Sequence, residues 1–291
     1  METSLPGVAP GLRARWVVEG VLAVSPMPRP EDAEALSGFP TVLSLAGPAE
    51  YMYSGGLDPR TEASLVSNFV WLPVGEYNAA PLVKLARALE EAAEPRPVLV
   101  HCFRGCGRSS MAAAGWLAWL QGVPASTSLS EVSSRTGCGV ETLPQRSVVE
   151  ALSILRRALG GPGSLRGFDG DDPRPEYAAL IASRLAGPAG RDPVGLAAEA
   201  LEERRGPVWE AAELAARLAS YTIAGFELSS GRPPALRVHL WIPRGAHPAA
   251  VPEPRVPVEE LRRGLVERLS QLVEGVGVEV VHHPRGEPPW V

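Results

Sequence analysis

Cys102, Arg108 and Ser109 fall within one short string, His101-Cys102-Phe103-Arg104-Gly105-Cys106-Gly107-Arg108-Ser109-Ser110. Gly105 and Gly107 lie between the cysteine and the arginine. A short apolar run with β-branched valines, Pro97 to Val100, leads in, and a second apolar run, Met111 to Leu120, leads out. The pattern predicts a buried strand, a tight loop and a helix. Glycines free such a loop to turn successive backbone N–H groups inward onto an anion. The helix behind it adds its positive end, and Arg108 can grip two phosphoryl oxygens with its planar fork. The predicted phosphate cradle is Phe103, Arg104, Gly105, Cys106, Gly107 and Arg108.

The same field favours the thiolate of Cys102. A thiolate facing a cradled phosphorus implies covalent phosphoryl transfer through a phosphocysteine. Ser109 is expected to hydrogen-bond the sulfur as it leaves, and His101 to brace the loop through its ring nitrogens. A lone cysteine is commonly a small buried hydrophobe, and a lone Gly-x-Gly commonly a turn. The full string between a strand and a helix is a more specific signal than either.

The elements that must position this loop are legible around it. Trp16 to Ser25 reads as two short strands about Glu19-Gly20, Glu31 to Leu36 as a short helix, and Thr41 to Leu45 and Phe69 to Leu72 as strands. Ala46 to Ala63, broken by glycines and prolines, reads as a surface segment or brief helix. Leu82, Leu85, Leu89 and Ala92 share one face of an amphipathic helix. Further helices are expected near Ser126 to Arg135 and over Leu143 to Leu159. Strands alternating with helices imply an α/β fold with a central, mostly parallel sheet flanked by helices. The loop then sits at the carboxyl end of a central strand.

The string H-C-x-x-G-x-x-R-S resembles the signature of the cysteine-based protein tyrosine phosphatase superfamily. The flanking stretches are most similar to its atypical dual-specificity phosphatases. Arg15 to Pro26 resembles the opening strand pair, Pro73-Val74-Gly75-Glu76 the general-acid loop, and Gly139 to Gln145 a late segment with a water-positioning glutamine. The resemblance covers residues 13–158. It implies that Glu76 protonates the leaving oxygen, at a position where the family carries aspartate, and that Gln145 helps place water. Without it, Glu76 is a solvated loop carboxylate and Gln145 closes a capping box with Thr142; both roles can hold for Gln145. Asp58, 44 positions before Cys102, is set aside as the acid.

Composition narrows the partners. The chain has 291 residues, 45% hydrophobic and 21% charged, as in ordinary globular proteins. A net charge of −5 without a long basic run argues against general nucleic-acid binding. The longest apolar run is too short to span a bilayer. Three cysteines, an odd number without scaffold spacing, together with the need for a reduced Cys102, lead to an expectation of a cytoplasmic setting. Cys106 could join Cys102 on oxidation, or Cys138 could approach from elsewhere and protect the Cys102 thiolate, or Cys106 could simply fill a variable loop position. Arg104 makes the mouth more basic, or is solvated. No metal or other cofactor is expected, since Arg108 and the amides supply the positive field.

Residues 13–159 are thus read as a catalytic domain, 160–176 as a glycine-rich linker, and 177–291 as a smaller α+β domain of no recognised kind. In that second half helices are expected over Tyr177 to Leu185, Val194 to Arg205, Val208 to Leu218 and Pro257 to Val276. Strands are expected over Tyr221 to Leu228, Ala235 to Ile242 and Val278 to Val281. Arg237, His239 and Trp241 either form an exposed recognition face or pack on the first domain. His282 and His283 are read as polar residues at a strand end.

The expected substrate is a phosphoprotein carrying phosphotyrosine. No long insertion before Cys102 raises a deep wall, so phosphoserine and phosphothreonine are expected as well. Two rivals stand: the same chemistry on a non-protein phosphate ester (phosphoinositide, nucleotide or RNA 5′ end), and a phosphate-binding module with little turnover.

Overall fold

The structure is a computed structural model that describes residues 12–218, 222–231, 233–241 and 256–283. Of the proline- and glycine-rich, irregular lead-in that the sequence suggests over residues 1–14, residues 1–11 lie outside these, as do the strand ends at Tyr221 and Ile242.

The first half is built from β1 (Arg15–Val18), β2 (Leu22–Ser25), α1 (Ala33–Leu36), β3 (Thr41–Ser44), α2 (Pro48–Tyr53), α3 (Pro59–Leu65), β4 (Asn68–Trp71), α4 (Leu82–Glu91), β5 (Val98–His101), α5 (Gly107–Trp119), α6 (Ala125–Thr136) and α7 (Leu143–Leu159). The strands form one sheet in the order β1-β2-β5-β3-β4. Only the β1–β2 pair is antiparallel; β2–β5, β5–β3 and β3–β4 are parallel. Every residue of β2, β3 and β5 is buried, as expected for strands with helices on both faces.

Register decides where the site lies. Ser25 and Ser44 both pair with His101, and Ser44 pairs with Trp71. Four parallel strands therefore end level, and the loops that follow them converge on one edge. That is the place where open α/β sheets take ligands.

α5 is buried along its whole length. Its small residues allow α4 and α7 to approach: a methyl at Gly115 would lie 3.2 Å from Leu152 and 3.3 Å from Leu89. α7 starts where the Thr142 hydroxyl accepts the Gln145 N–H and ends at Gly160, which takes a left-handed conformation (φ +84).

The second half contains α8 (Arg174–Leu185), α9 (Pro193–Glu203), α10 (Gly206–Ala216), β6 (Thr222–Leu228), β7 (Ala235–Trp241), α11 (Val258–Leu269) and β8 (Gly277–His282). Its separate sheet runs β6-β7-β8, with β6–β7 antiparallel and β7–β8 parallel. The expected Pro257–Val276 helix stops at Leu269. The exposed recognition face read into β7 does not form: Arg237 is exposed, but His239 is 9% and Trp241 0% exposed. β7 is the middle strand of its sheet, and the His239 ring stacks on His283.

The segment 160–176 carries a short helical turn, Ser164–Gly167, that buries Leu165. It lies on α4, where the Arg87 guanidinium donates to the Phe168 carbonyl and Glu90 accepts the Gly163 N–H. One apolar cluster runs through both halves, including Leu85, Trp116 and Leu152 of the first and Leu180, Trp209 and Leu240 of the second. No helix among the described residues is long and apolar enough to cross a membrane.

Candidate active site

β5 delivers Cys102 to the level sheet edge, and the chain then turns sharply into α5. The Cys102 side chain is buried and is the free thiol among the described residues. The Gly105 N–H donates to Cys102 Sγ at 3.3 Å, and the Ser109 hydroxyl lies 3.5 Å from the same sulfur. That hydroxyl also lies 2.9 Å from the Cys106 carbonyl, so its proton can serve either acceptor. The N–H groups of Arg104, Cys106, Gly107 and Arg108 have no acceptor among the described residues. They are the donors a helix start leaves unused. Gly105 takes φ +78, and a side chain there would put its Cβ 2.4 Å from the Pro26 nitrogen. The loop closes onto the end of β2, which only glycine allows.

Arg108 is 5% exposed and held by Glu50 and by the Val74 and Leu45 carbonyls. Its Nη1 and Nη2 donate to the two carboxylate oxygens of Glu50 at 2.8 and 2.6 Å, and Nη1 also donates to the Val74 carbonyl at 2.7 Å. Glu50 thus takes the end-on edge of the guanidinium. The side-on edge, Nε with the second Nη2 proton, stays open for two phosphoryl oxygens. Burial pushes the Glu50 carboxyl up, but hydrogen bonds from Arg108 and the Gly47 N–H outweigh it and hold it below the usual carboxylate range. Burial likewise works against the Arg108 charge, which Glu50 and then Cys102 more than restore.

Neither Glu50 nor its neighbours came out of the sequence reading, because Ala46 to Ala63 lacks a clear period. The segment in fact forms α2 and α3. Gly47-Pro48-Ala49-Glu50 was the available signal: a proline opening a helix, with an acid reaching back to the Gly47 N–H at 2.8 Å.

Behind the loop lies a buried polar chain. His101 Nε2 is 2.9 Å from Glu62 Oε2, and both side chains are fully buried. The Tyr51 hydroxyl donates to Glu62 at 3.2 Å and lies 2.6 Å from the Ser44 hydroxyl. Burial, and then the Glu62 charge, drive the Tyr51 hydroxyl strongly upward, so it stays protonated. His101 thereby ties the end of β5 to α2 and α3.

Glu76 hangs over the mouth and pairs with Arg104 at 3.5 Å, both groups well exposed. Its loop is fixed at one end by Arg108 on Val74. At the other, the Thr142 hydroxyl donates to the Tyr77 carbonyl at 3.0 Å and the Gln145 amide to the Asn78 carbonyl at 3.3 Å. Gln145 is fully buried, and its Oε1 accepts the Glu141 N–H at 2.9 Å. The expected capping box is therefore displaced by one residue: Gln145 reaches the N–H of Glu141 rather than that of Thr142. Both ends of its amide engage main chain. Asp58 caps α3 through the Arg60 and Thr61 N–H groups.

Cys106 does not simply fill the loop: it forms a disulfide with Cys138 across 32 positions. The bridge ties the cradle to the connection between α6 and α7, and the cysteine count therefore gives no support to a reducing compartment. A closed loop of this length is worth about 4 kcal/mol. Reduction by a dithiol, or Cys138→Ser, is expected to lower the melting temperature accordingly. Titration of the denatured, unreduced chain should find one thiol; three would remove the bridge.

Over about 48% of its length the chain is similar in fold to solved cysteine-based phosphatases. Tk-PTP in its active form is 26% identical, with TM-score 0.44, 48% of this chain and 95% of that one covered. PTPMT1 in complex with PI(5)P is 14% identical, with TM-score 0.42, covering 46% and 90%. The core catalytic domain of the PP-IP phosphatase SIW14 from S. cerevisiae, in complex with citrate, is 24% identical, with TM-score 0.38, covering 48% and 86%. No family model matches the chain, and no curated protein matches it in sequence.

Proposed function

We propose that this protein is a phosphoric monoester hydrolase acting on phosphoproteins through a phosphocysteine. The observation that carries the reading is the cradle itself. A buried free thiol receives a main-chain N–H, faces unused amides, and shares its field with an arginine whose open edge fits a phosphoryl group. Cys102 attacks phosphorus, and the Arg108 side chain with the unused N–H groups of Arg104, Cys106, Gly107 and Arg108 holds the transferring oxygens. Ser109 turns its proton to the departing sulfur, and His101 fixes the loop through Glu62. Gln145, locked between Glu141 and Asn78, keeps the water side of the site in place. No step needs a metal or other cofactor.

Glu76 supplies the proton to the leaving oxygen. Its exposed pairing with Arg104 is weak, so the carboxyl is free to swing to the substrate. Glu76→Gln is expected to slow phosphoserine peptides by about 10²-fold or more. Activated aryl phosphates, which leave without help, should slow only a few-fold. Equal slowing of both would remove Glu76 from proton transfer.

A protein substrate is favoured over the rival esters by the rim. Phe103 is 38%, Met52 69%, Tyr53 84% and Trp71 41% exposed. Phe103 is on the cradle loop, and Met52 and Tyr53 follow Glu50 on α2. The Trp71 indole donates to the Ala46 carbonyl beside the Arg108 anchor at Leu45. Exposed aromatic and apolar groups suit the side chains flanking a phosphorylated residue better than a polyanionic head group. Hydrolysis of phosphotyrosine, phosphoserine and phosphothreonine peptides, measured beside phosphoinositides, nucleotides and RNA 5′ ends, tests this. The peptides should turn over with the highest kcat/KM; preference for any other class would reassign the substrate, and binding without turnover would favour a phosphate-binding module.

A further inference from the structure

The two halves of the chain meet on α7, and the residues that meet there flank Gln145. Leu143 and Ser147 share one face of the helix, and Gln145, midway between them in sequence, lies on the opposite face. β6 covers the Leu143–Ser147 face. The buried Ser147 hydroxyl donates to the Ala224 carbonyl at 3.3 Å. Ala224 is the extra residue of a β-bulge: Ile223 pairs with Leu240 and Gly225 with His239, so no residue of β7 stands opposite it. A bulge bends its strand and re-aims the main chain there. A Cβ on Gly225 would fall 2.9 Å from Ser147 Oγ and 3.0 Å from Leu143 Cγ. Both atoms branch directly from a Cβ of the helix, so neither is the loose end of a long side chain. Arg184 of α8 adds a further tie: its Nε donates to the Phe226 carbonyl at 2.8 Å, and its Nη2 to Glu150 of α7.

On its opposite face, the same turn of α7 holds the loop that carries Glu76. Gln145 Nε2 donates to the Asn78 carbonyl at 3.3 Å, and the Thr142 hydroxyl at the cap donates to the Tyr77 carbonyl at 3.0 Å. Gln145 is fully buried, and a close-packed interior passes a displacement on rather than absorbing it. We propose that β6 is a positioning element of the active site, with Ser147 and Gly225 as the positioning residues. They act through Gln145 on the Glu76 loop. The second half of the chain thereby takes part in proton transfer without touching the substrate. The inference rests on the reading of Glu76 as the proton donor.

A contact between the halves could also serve stability alone, and the leaving group separates the two roles. Full-length Gly225→Val is expected to lower kcat on a phosphoserine peptide about tenfold, with KM unchanged. On 4-nitrophenyl phosphate, whose leaving group needs no proton, its kcat should stay within about twofold of the parent. Ser147→Ala, which removes one hydrogen bond without adding bulk, should show the same selectivity, with the peptide slowed about threefold. In a Glu76→Gln background neither change should slow the peptide further, because the group being positioned is gone. A thermal melt of each variant checks that it is folded at the assay temperature; where Gly225→Val is not, Ser147→Ala decides. Equal slowing of both substrates, parental kinetics in the folded variants, or an undiminished loss in the Glu76→Gln background would each overturn the proposal. Equal slowing of both substrates by Glu76→Gln alone would instead remove the premise, and the proposal with it.

Discussion

Arg108→Lys is expected to lower kcat/KM by about 10³-fold, with most of the loss in kcat. Arginine here does two jobs with two edges of one plane. The end-on edge binds both oxygens of Glu50, and the side-on edge faces the place where phosphoryl charge develops. A lysine ammonium is a point donor and cannot do both. It also leaves a carboxylate that is four-fifths buried with half its partners gone. Steady-state kinetics with an aryl phosphate, beside a thermal melt, separates the catalytic loss from the structural one. Retention of kcat/KM within tenfold of the parent would mean that the amides alone hold the phosphoryl group.

Gly105→Ala is expected to remove activity by more than about 10²-fold, because misplacement of the reacting groups by about an ångström is enough to do so. The backbone at 105 has φ +78, and its missing Cβ points at main-chain atoms of Ser25 and Pro26. Neither obstacle is a flexible side-chain end that could move aside. The loop must lift from β2, and the Gly105 N–H that donates to Cys102 Sγ moves with it. Stability should fall by about 2–4 kcal/mol as well, readable as a shift in denaturant midpoint. An alanine variant with parental turnover would show that the cradle does not depend on this contact.

Local chemistry was legible in the sequence, and long-range pairing was not. The string from His101 to Ser110 carried its own meaning because strand, glycines, thiol and arginine are neighbours in the chain. The sheet followed from short apolar runs, and its levelled strand ends followed from parallel register. Glu50 and Glu62 were missed because their importance lies in Arg108 and His101, 58 and 39 positions away. Gln145 stood out by type and place, but its partners, Glu141 and Asn78, depend on how two loops meet. The Cys106–Cys138 bridge was missed because spacing alone does not pair three cysteines. In the second half the alternation in β7 marked a strand correctly. Leu236, Val238 and Leu240 form its buried face as read, while alternation alone did not decide whether Arg237, His239 and Trp241 are exposed or packed, and His239 and Trp241 are buried.

The central claim is that Cys102 becomes covalently phosphorylated during turnover. Rapid acid quenching of the full-length protein with a ³²P-labelled phosphotyrosyl peptide, followed by mapping of the labelled fragment, measures this directly. Label on Cys102, with neither label nor sustained hydrolysis in Cys102→Ser, is the predicted result. Undiminished hydrolysis by Cys102→Ser, or label on any other residue, would contradict the account.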